Sequence, residues 1–380
     1  MRGAKKAVAW AAAAGCVVLA GGCASTGATS GTWADQTEAI AGGGMPALIQ
    51  AAKAEGRLNV IRLRSDWANY GAIMKAFTAK YGIKITDQEA DGTSQGEISA
   101  VRGERGARAP DVLDLSASYA VQAEGRHLLA PYQVRSWSAI PNTLKAASAD
   151  WYADYGGYVA IGYDPARVQR APRSFRSLLS PAYRHQVAIT GNPGAPTATG
   201  ALDAVWAAAL ANGGSLNDIK PGLKFFRKLR RHGNLVPVAG SPATVASGRT
   251  PILVWWDFLL AAQIRPAVPR LRIVIPPDAR FENFYYQAIS RRAPHPAAAR
   301  LWEEFLYSPQ GQNLFLAGGA RPVELATMIR NGTVDRAALR DLPAVPAVPA
   351  VPVAVPLQPT QQQLSTAQDL AARRWPDGLS

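Results

Sequence analysis

The chain has 380 residues, is 48% hydrophobic and carries a formal charge of +14, with only two cysteines, Cys16 and Cys23. Both cysteines fall in the first 23 residues, so disulfides, cysteine nucleophiles and zinc–thiolate sites are excluded from everything after them. The basic balance admits nucleic acid or an anionic surface as a partner, but the cations are scattered apart from a densest run, Arg227, Lys228, Arg230 and Arg231, on one expected helix, and no nucleic-acid motif accompanies them, which favours a solvated basic surface near anionic lipid.

Arg2, Lys5 and Lys6 precede an uncharged, alanine-rich stretch from Ala7 to Ala20, then Gly21, Gly22 and Cys23. This is the pattern of a secretion signal, and it is shorter than the roughly 20 apolar residues of a membrane span. Leu19-Ala20-Gly21-Gly22-Cys23 resembles a bacterial lipobox with one residue inserted, so residues 1–23 are read as a signal with Cys23 as the acylated residue; the alternative is plain cleavage near Ala24. Residues 24–45, rich in Gly, Ser, Thr and Ala, read as a flexible tether.

From Ala47 apolar-periodic stretches alternate with short β-rich runs, the signature of α/β layering. Helices are expected over 47–55, 68–80, 96–105, 117–125, 200–212, 220–232, 242–247, 257–263, 295–306 and 309–317. Strands are expected over 58–63, 83–87, 112–115, 157–163, 187–190, 252–255 and 272–275. The predicted fold class is α/β: two lobes with mixed, mostly parallel sheets joined by two hinge crossovers near 156–162 and 271–277. The corresponding divisions are 46–157 with 272–340, and 158–271. Residues 341–359 repeat Pro-Ala-Val with polyproline II geometry and read as a stiff connector, and 360–380 as a C-terminal helix.

Open α/β sheets place ligands beyond the carboxyl ends of their strands. The residues there are Ser65, Asp66 and Trp67; Ser116, Ser118 and Tyr119 at a helix start; and Thr197 and Thr199, where a helix N-terminus makes an anion pocket or a threonine merely caps it. Trp255, Trp256 and Asp257 combine ring faces with a carboxylate, a set suited to an amine cation. Tyr285 and Tyr286 are adjacent phenols, which on a strand point to opposite faces, one to the cleft and one to the core. Gly92-Thr93-Ser94-Gln95-Gly96 matches the G-x-S-x-G elbow of serine hydrolases, yet too few strands precede it, and Ser94 is read as a cap or ligand contact. No dinucleotide, phosphate-loop or metal-ligand pattern stands out, so no cofactor is expected.

Several segments, in order, resemble one family. They are Ala51-Ala52-Lys53-Ala54-Glu55-Gly56-Arg57-Leu58, Ala109-Pro110-Asp111-Val112-Leu113-Asp114-Leu115, Leu128-Leu129-Ala130-Pro131-Tyr132, Pro172 to Leu179 with Pro181 and Tyr183, and Ala293 to Arg300 running on to Phe305 through Gln312. From about Ala51 to Pro322 the chain resembles the substrate-binding proteins of bacterial ABC importers, in the type II branch that includes ferric-iron, polyamine, thiamine and aminophosphonate binders. The resemblance implies a monomeric, exported receptor that closes two lobes on a small polar solute and passes it to an importer permease without catalysis. A polyamine-like cation is the first expectation for the solute, with an aminophosphonate or ferric iron as the alternative.

Overall fold

The computed structural model describes residues 32–89, 92–195, 198–346 and 359–375. The signal, Cys23, residues 24–31 of the expected tether, Thr197 and most of the proline repeat lie outside them, whereas residues 32–45 of that tether are described and pack on the first lobe, with Ala39 buried.

In the first part of the chain the strands are β1 (Arg57–Ile61), β2 (Lys84–Gln88), β3 (Val112–Ser116) and β4 (Leu129–Ala130). The helices are α1 (Gly44–Glu55), α2 (Tyr70–Tyr81), α3 (Ser94–Gly103) and α4 (Ala117–Gly125). Each of α1 and α2 ends on a left-handed glycine, Gly56 (φ 68°) and Gly82 (φ 72°), which returns the chain sharply to the next strand. Then comes β5 (Tyr152–Tyr163), twelve residues long and buried through eleven of them. It is followed by β6 (Val187–Ala188), α5 (Thr199–Leu210), α6 (Lys220–Arg231), α7 (Pro242–Ser247) and β7 (Ile252–Trp256). Helix α8 (Asp257–Leu259) runs on into a wider π turn at Leu260–Ile264. The chain closes with β8 (Arg272–Val274), β9 (Glu282–Ser290), α9 (Pro296–Leu306), α10 (Pro309–Ala317), β10 (Arg321–Pro322), α11 (Leu325–Asn331), α12 (Arg336–Asp341) and α13 (Gln361–Arg374).

One strand organises the two lobes. The first half of β5 pairs with β9 and β10, whereas from Val159 onward it pairs with β7 and β8. The first lobe's sheet runs β2-β1-β3-β9-β5 and the second continues β5-β7-β6. The chain returns through the segment between β8 and β9. Between the named strands, parallel pairing is confined to β1–β2, β1–β3 and β6–β7, and every antiparallel pair involves β5 or β9. The mixed sheets therefore hold more antiparallel pairing than strand–helix alternation suggests, because the chain passes between lobes as extended strand instead of through a helix.

The glycines at the first crossover serve close approach. A Cβ on Gly156 would meet Asn283 O at 2.5 Å, and one on Gly157 would run into Asp257 Oδ1 and the Phe258 ring. Neither residue has a positive φ. Gly157→Ala is therefore expected to cost about 1–3 kcal/mol through overpacking, read as a lowered midpoint in thermal or urea unfolding.

Around this crossover the lobes are clasped. The Tyr158 ring lies between Arg321 (5.3 Å) and Arg280 (5.7 Å), and its backbone N–H donates to Asp257 Oδ1 at 2.9 Å. Arg321 stands 3.5 Å from Asp257 Oδ2 and donates to Pro343 O, so the chain just after α12 is fastened to the crossover as well.

Candidate functional site

The strand β1 ends at Ile61, and the next residue, Arg62, adopts φ 65°, a left-handed conformation rare for a residue with a side chain. Its guanidinium turns inward and donates to Gly92 O (2.9 Å), Ser94 Oγ (3.2 Å), Glu97 Oε1 (3.3 Å) and Asp114 O (3.1 Å). Ser94 begins α3, whose N-cap Thr93 accepts from Gly96 N; the Ser94 hydroxyl also accepts from Ser116 N at 3.1 Å. The Glu97 carboxyl takes Asp114 N at 2.9 Å and is fully buried. Burial pushes it up to about 8 although Arg62 opposes the shift.

Register brings the second layer in. Ser116 pairs with Tyr285 across β3 and β9, so the Tyr285 ring lies over Arg62 (5.5 Å), edge-on to Trp67 (5.8 Å) and stacked on Tyr155 (5.5 Å). Trp67 Nε1 donates to Tyr155 OH at 2.7 Å, and that hydroxyl donates to Asp114 Oδ2 at 3.3 Å. Tyr155 sits where the β5–β9 register shifts, a bulge that aims a side chain out of the ladder. Beneath, Gln287 Nε2 donates to Asp114 Oδ1, Asp154 Oδ2 and Tyr70 OH, so two acids share one amide. Burial raises both carboxyls, Asp114 to about 7.

The second lobe supplies the opposite wall. Phe258 meets Trp67 (5.9 Å), Tyr155 (5.7 Å) and Trp256 (6.2 Å), and so joins aromatic groups of both lobes. Trp256 Nε1 donates to Asp203 Oδ2 on α5 at 3.1 Å. Desolvation lifts Asp203 to about 7, and it stands close enough to Tyr285 for its charge to raise that phenol. The seam thus holds a cation, Arg62, which bonds to the protein through Nε and Nη1, and a carboxyl, Asp203, with one recorded hydrogen bond.

A groove of about 600 Å³ is lined by Ser65, Asp66 and Asn69 and by Ala261, Ala262 and Arg265. The ends of α10 and α12 close its floor, through Leu316 to Gly319 and through Ala338 and Asp341. Trp67 directly follows Asp66, and Phe258 lies about one turn before Ala261, so the segments that line the groove also carry seam residues.

The residues singled out from sequence fall into three groups. Trp67, Ser94, Ser116 and Tyr285 come together in the seam, Trp256 reaches it through Phe258, and Ser65 and Asp66 line the groove. Asp66 is exposed and paired with Arg64 (3.0 Å), whose hydrogen bonds hold its carboxyl low. Ser118 and Tyr119 sit half-buried in the first turn of α4. Thr199 is exposed and does not cap α5, whose N-cap is Ala198. Trp255 lies against Gly200, where an added Cβ would stand 2.8 Å from its Nε1.

Asp257 departs from its expected role. It is completely buried, accepts from Tyr158 N and Phe258 N through one oxygen and faces Arg321 with the other, so it fastens the crossover and does not present a charge to a cleft. Trp256 is likewise 5% exposed, its ring against Phe258 and Phe281. Tyr286 is buried against Trp151, so the two adjacent phenols face apart and cannot chelate one metal together. Ser94 has a guanidinium and a backbone amide as neighbours, neither able to take its proton, which removes the hydrolase reading's base. Among the described residues no group of three or more His, Cys, Asp and Glu could hold a metal, and no described helix is long and apolar enough to cross a membrane.

Sequence reading missed Arg62, Glu97, Asp114, Tyr155, Asp203 and Phe258. A signal existed for two of them: Asp114 interrupts the apolar run Val112–Leu115, and Asp203 is the one charged side chain in α5.

A family model described as bacterial extracellular solute-binding protein matches residues 107–344. Among solved structures the chain is similar to Trichodesmium IdiA (FutA) in complex with iron and citrate, at 18% identity and TM-score 0.59, covering 84% of this chain and 100% of that one. It is similar to the spermidine/putrescine ABC transporter substrate-binding protein PotD of Streptococcus pneumoniae, at 15% identity and TM-score 0.60, covering 83% and 98%. It is also similar to the periplasmic binding protein AfuA of Actinobacillus pleuropneumoniae with fructose-6-phosphate bound, at 15% identity and TM-score 0.59, covering 84% and 98%. These likenesses establish the fold.

Proposed function

The chain belongs to the bacterial extracellular solute-binding protein family, and on that premise we propose that it is the extracytoplasmic receptor of an ABC importer, holding a small solute between its lobes and delivering it to the permease. The lobes of this reading are 46–157 with 272–340, and 158–271, turning about β5 and the β8–β9 return. Opening would part Phe258 and Trp256 from Trp67 and Tyr155, closure would restore the contacts described above, and the closed form alone would dock. The reading places the receptor outside the cytoplasm, tethered through Cys23, as a monomer that performs no catalysis.

For the solute the reading favours a cationic amine of polyamine type. The observation that carries it is Asp203: a desolvated carboxyl in an aromatic setting, with one recorded hydrogen bond, from Trp256. An ammonium group there gains both the charge and the ring faces. Arg62 is already paired with Glu97 and spends its Nε and Nη1 on Gly92, Ser94, Glu97 and Asp114, which leaves Nη2 alone to meet an anion. Polyamines, 2-aminoethylphosphonate, ferric citrate, thiamine and a sugar phosphate should be screened by melting temperature, since a ligand of the native state must raise it. Spermidine or putrescine is expected to shift the wild type, and Asp203→Asn to abolish the shift. A shift by an anionic compound that survives Asp203→Asn would overturn the amine assignment; no shift with any solute would count against the receptor.

A further inference from the structure

The charge of this protein is concentrated in one lobe. Residues 158–271 hold 14 Lys and Arg against four Asp and no Glu, so about ten of the chain's fourteen net positive charges lie there. Three of the four acids are engaged inside or across the fold. Asp164 takes Arg270 in two hydrogen bonds, Asp203 takes Trp256, and Asp257 faces Arg321. Asp218 accepts from Lys220 N at the start of α6.

The helix α6 gathers the excess. Lys220, Lys224, Arg227, Lys228 and Arg231 follow helical spacing along one exposed face, while Leu223, Phe225, Phe226 and Leu229 bury the other. No ion pair is recorded for any of these cations among the described residues. Favourable interaction with the helix C-terminus accounts for Lys228 and Arg231, which lie in the last turn, but not for Lys220, Lys224 and Arg227. Arg184 extends the face past the helix end, close to Gly233. The three exposed large apolar side chains recorded, Ile40, Val121 and Ile329, all lie outside this lobe.

We propose that the basic face of α6 is a peripheral docking surface for an anionic lipid bilayer, a contact made by charge without insertion. A field of one sign attracts a surface of the other, and each Lys or Arg near an anionic leaflet adds to the attraction. The bilayer is the occupant because of where the chain leads. Cys23 lies nine residues before Thr32, a span of at most about 30 Å when extended. The chain just after it is fastened to α9 of the other lobe, through Arg300 donating to Ala34 O and Gln36 O. Tether and basic face therefore sit on different lobes, and together they hold the receptor against the membrane at two points. This step rests on the exported, Cys23-tethered reading, and its test removes that tether.

The full chain carrying Cys23→Ser, which has no lipid anchor, is mixed with vesicles of phosphatidylglycerol and phosphatidylcholine or of phosphatidylcholine alone, and sedimented. Binding is expected on the anionic vesicles only, lost at about 0.5 M salt, where screening acts within a few ångströms. Lys224→Glu, Arg227→Glu and Arg231→Glu together are expected to weaken it at least about a hundredfold, with an unchanged melting temperature and an unchanged solute-induced shift. No binding to anionic vesicles at low salt, or binding untouched by the triple charge reversal, overturns the proposal. Retention on immobilised polyglutamate, lost in the triple variant, without vesicle binding would assign the face to an acidic protein and overturn the lipid. Because the solute-induced shift is read on the same variant, failure of the docking surface is distinguishable from failure of the receptor.

Discussion

Raising the pH from about 5 to about 8 is expected to lower the melting temperature of this protein by on the order of 5–10 °C. The cause is an unusual number of acids buried in the fold. Burial pushes Glu97 and Glu303 up to about 8, Asp114, Asp203 and Glu324 to about 7 and Asp257 to about 6, from ordinary values of 3.8 and 4.5. A raised acid binds its proton more tightly in the fold than in the unfolded chain. Between about 4 and 8 the folded state therefore holds more protons, and stability declines as pH climbs through the folded values. His295, raised chiefly by its hydrogen bond to Asp111, works in the same direction, because its contribution is also lost as pH rises. The main opposing group is Asp164, held low chiefly by Arg270, whose contribution disappears only under acid conditions, below that window. A tenfold change in one group's proton affinity corresponds to about 1.4 kcal/mol, but neighbouring carboxyls share protons, so their joint effect is well below what the same acids would give if each titrated alone. Glu303→Gln and Asp203→Asn should each flatten the curve of melting temperature against pH. A stability that rises steadily from pH 5 to 8 would show instead that these acids are ionised in the fold and matched by cations.

The elements that sequence made legible are those whose burial is local. Helices such as α4, α7 and α10 begin and end where periodicity and capping residues place them, because Ser241 and Ser308 announce their own first turns. Neither β9 nor the first half of β5 is legible as a strand, although the two tyrosines of β9 stand out as phenols. Both strands contain polar residues, Gln287 and Asp154, whose cost inside a sheet is met by partners far along the chain: Tyr70, Asp114 and each other. A pattern of two or of 3.6 residues carries no record of such partners. The same limit governs the site. Trp67 stands just after a strand, where a general rule for open sheets points, whereas Ser94 stands out through its G-x-S-x-G setting and Tyr285 as one of two adjacent phenols. Arg62 follows an ordinary apolar strand and acquires its role only when α3, β3 and β9 surround it. Asp257 misleads for the complementary reason: a carboxylate next to two tryptophans has the composition of an amine site, yet the crossover glycine Gly157 brings the backbone of β5 so close that the acid is consumed by Tyr158 N and Arg321.

Replacing Arg62 is expected to be among the most damaging single changes in the chain, at about 3–5 kcal/mol for Arg62→Ala, measured by urea unfolding with the slope held constant. The guanidinium is the only cation recorded against Glu97, whose carboxyl is fully buried, and it satisfies Asp114 O and Gly92 O among the described residues. Without it a buried acid must stay protonated or stay unpaired, and two carbonyls lose a donor. Arg62→Lys should recover little, since one ammonium cannot reach four acceptors that a planar fork meets together. Glu97→Gln in the Arg62→Ala background should recover part of the loss above about pH 8, where the carboxyl beside Arg62 gives up its proton, and little well below it; a double-mutant cycle then separates pairing from packing. The positive φ at Arg62 adds a backbone reason, as strain at that position is tolerated only while the side chain's contacts repay it. The outcome also bears on the solute. If Arg62 is a strut between α3 and the sheet, an Arg62→Lys protein that still folds should bind a polyamine nearly as well as the wild type does, whereas a receptor for an anion would lose its charge contact and bind measurably more weakly. Asp203→Asn should give the opposite pattern, a modest change in stability and loss of the ligand, so the two variants together assign fold-keeping to one side of the seam and recognition to the other.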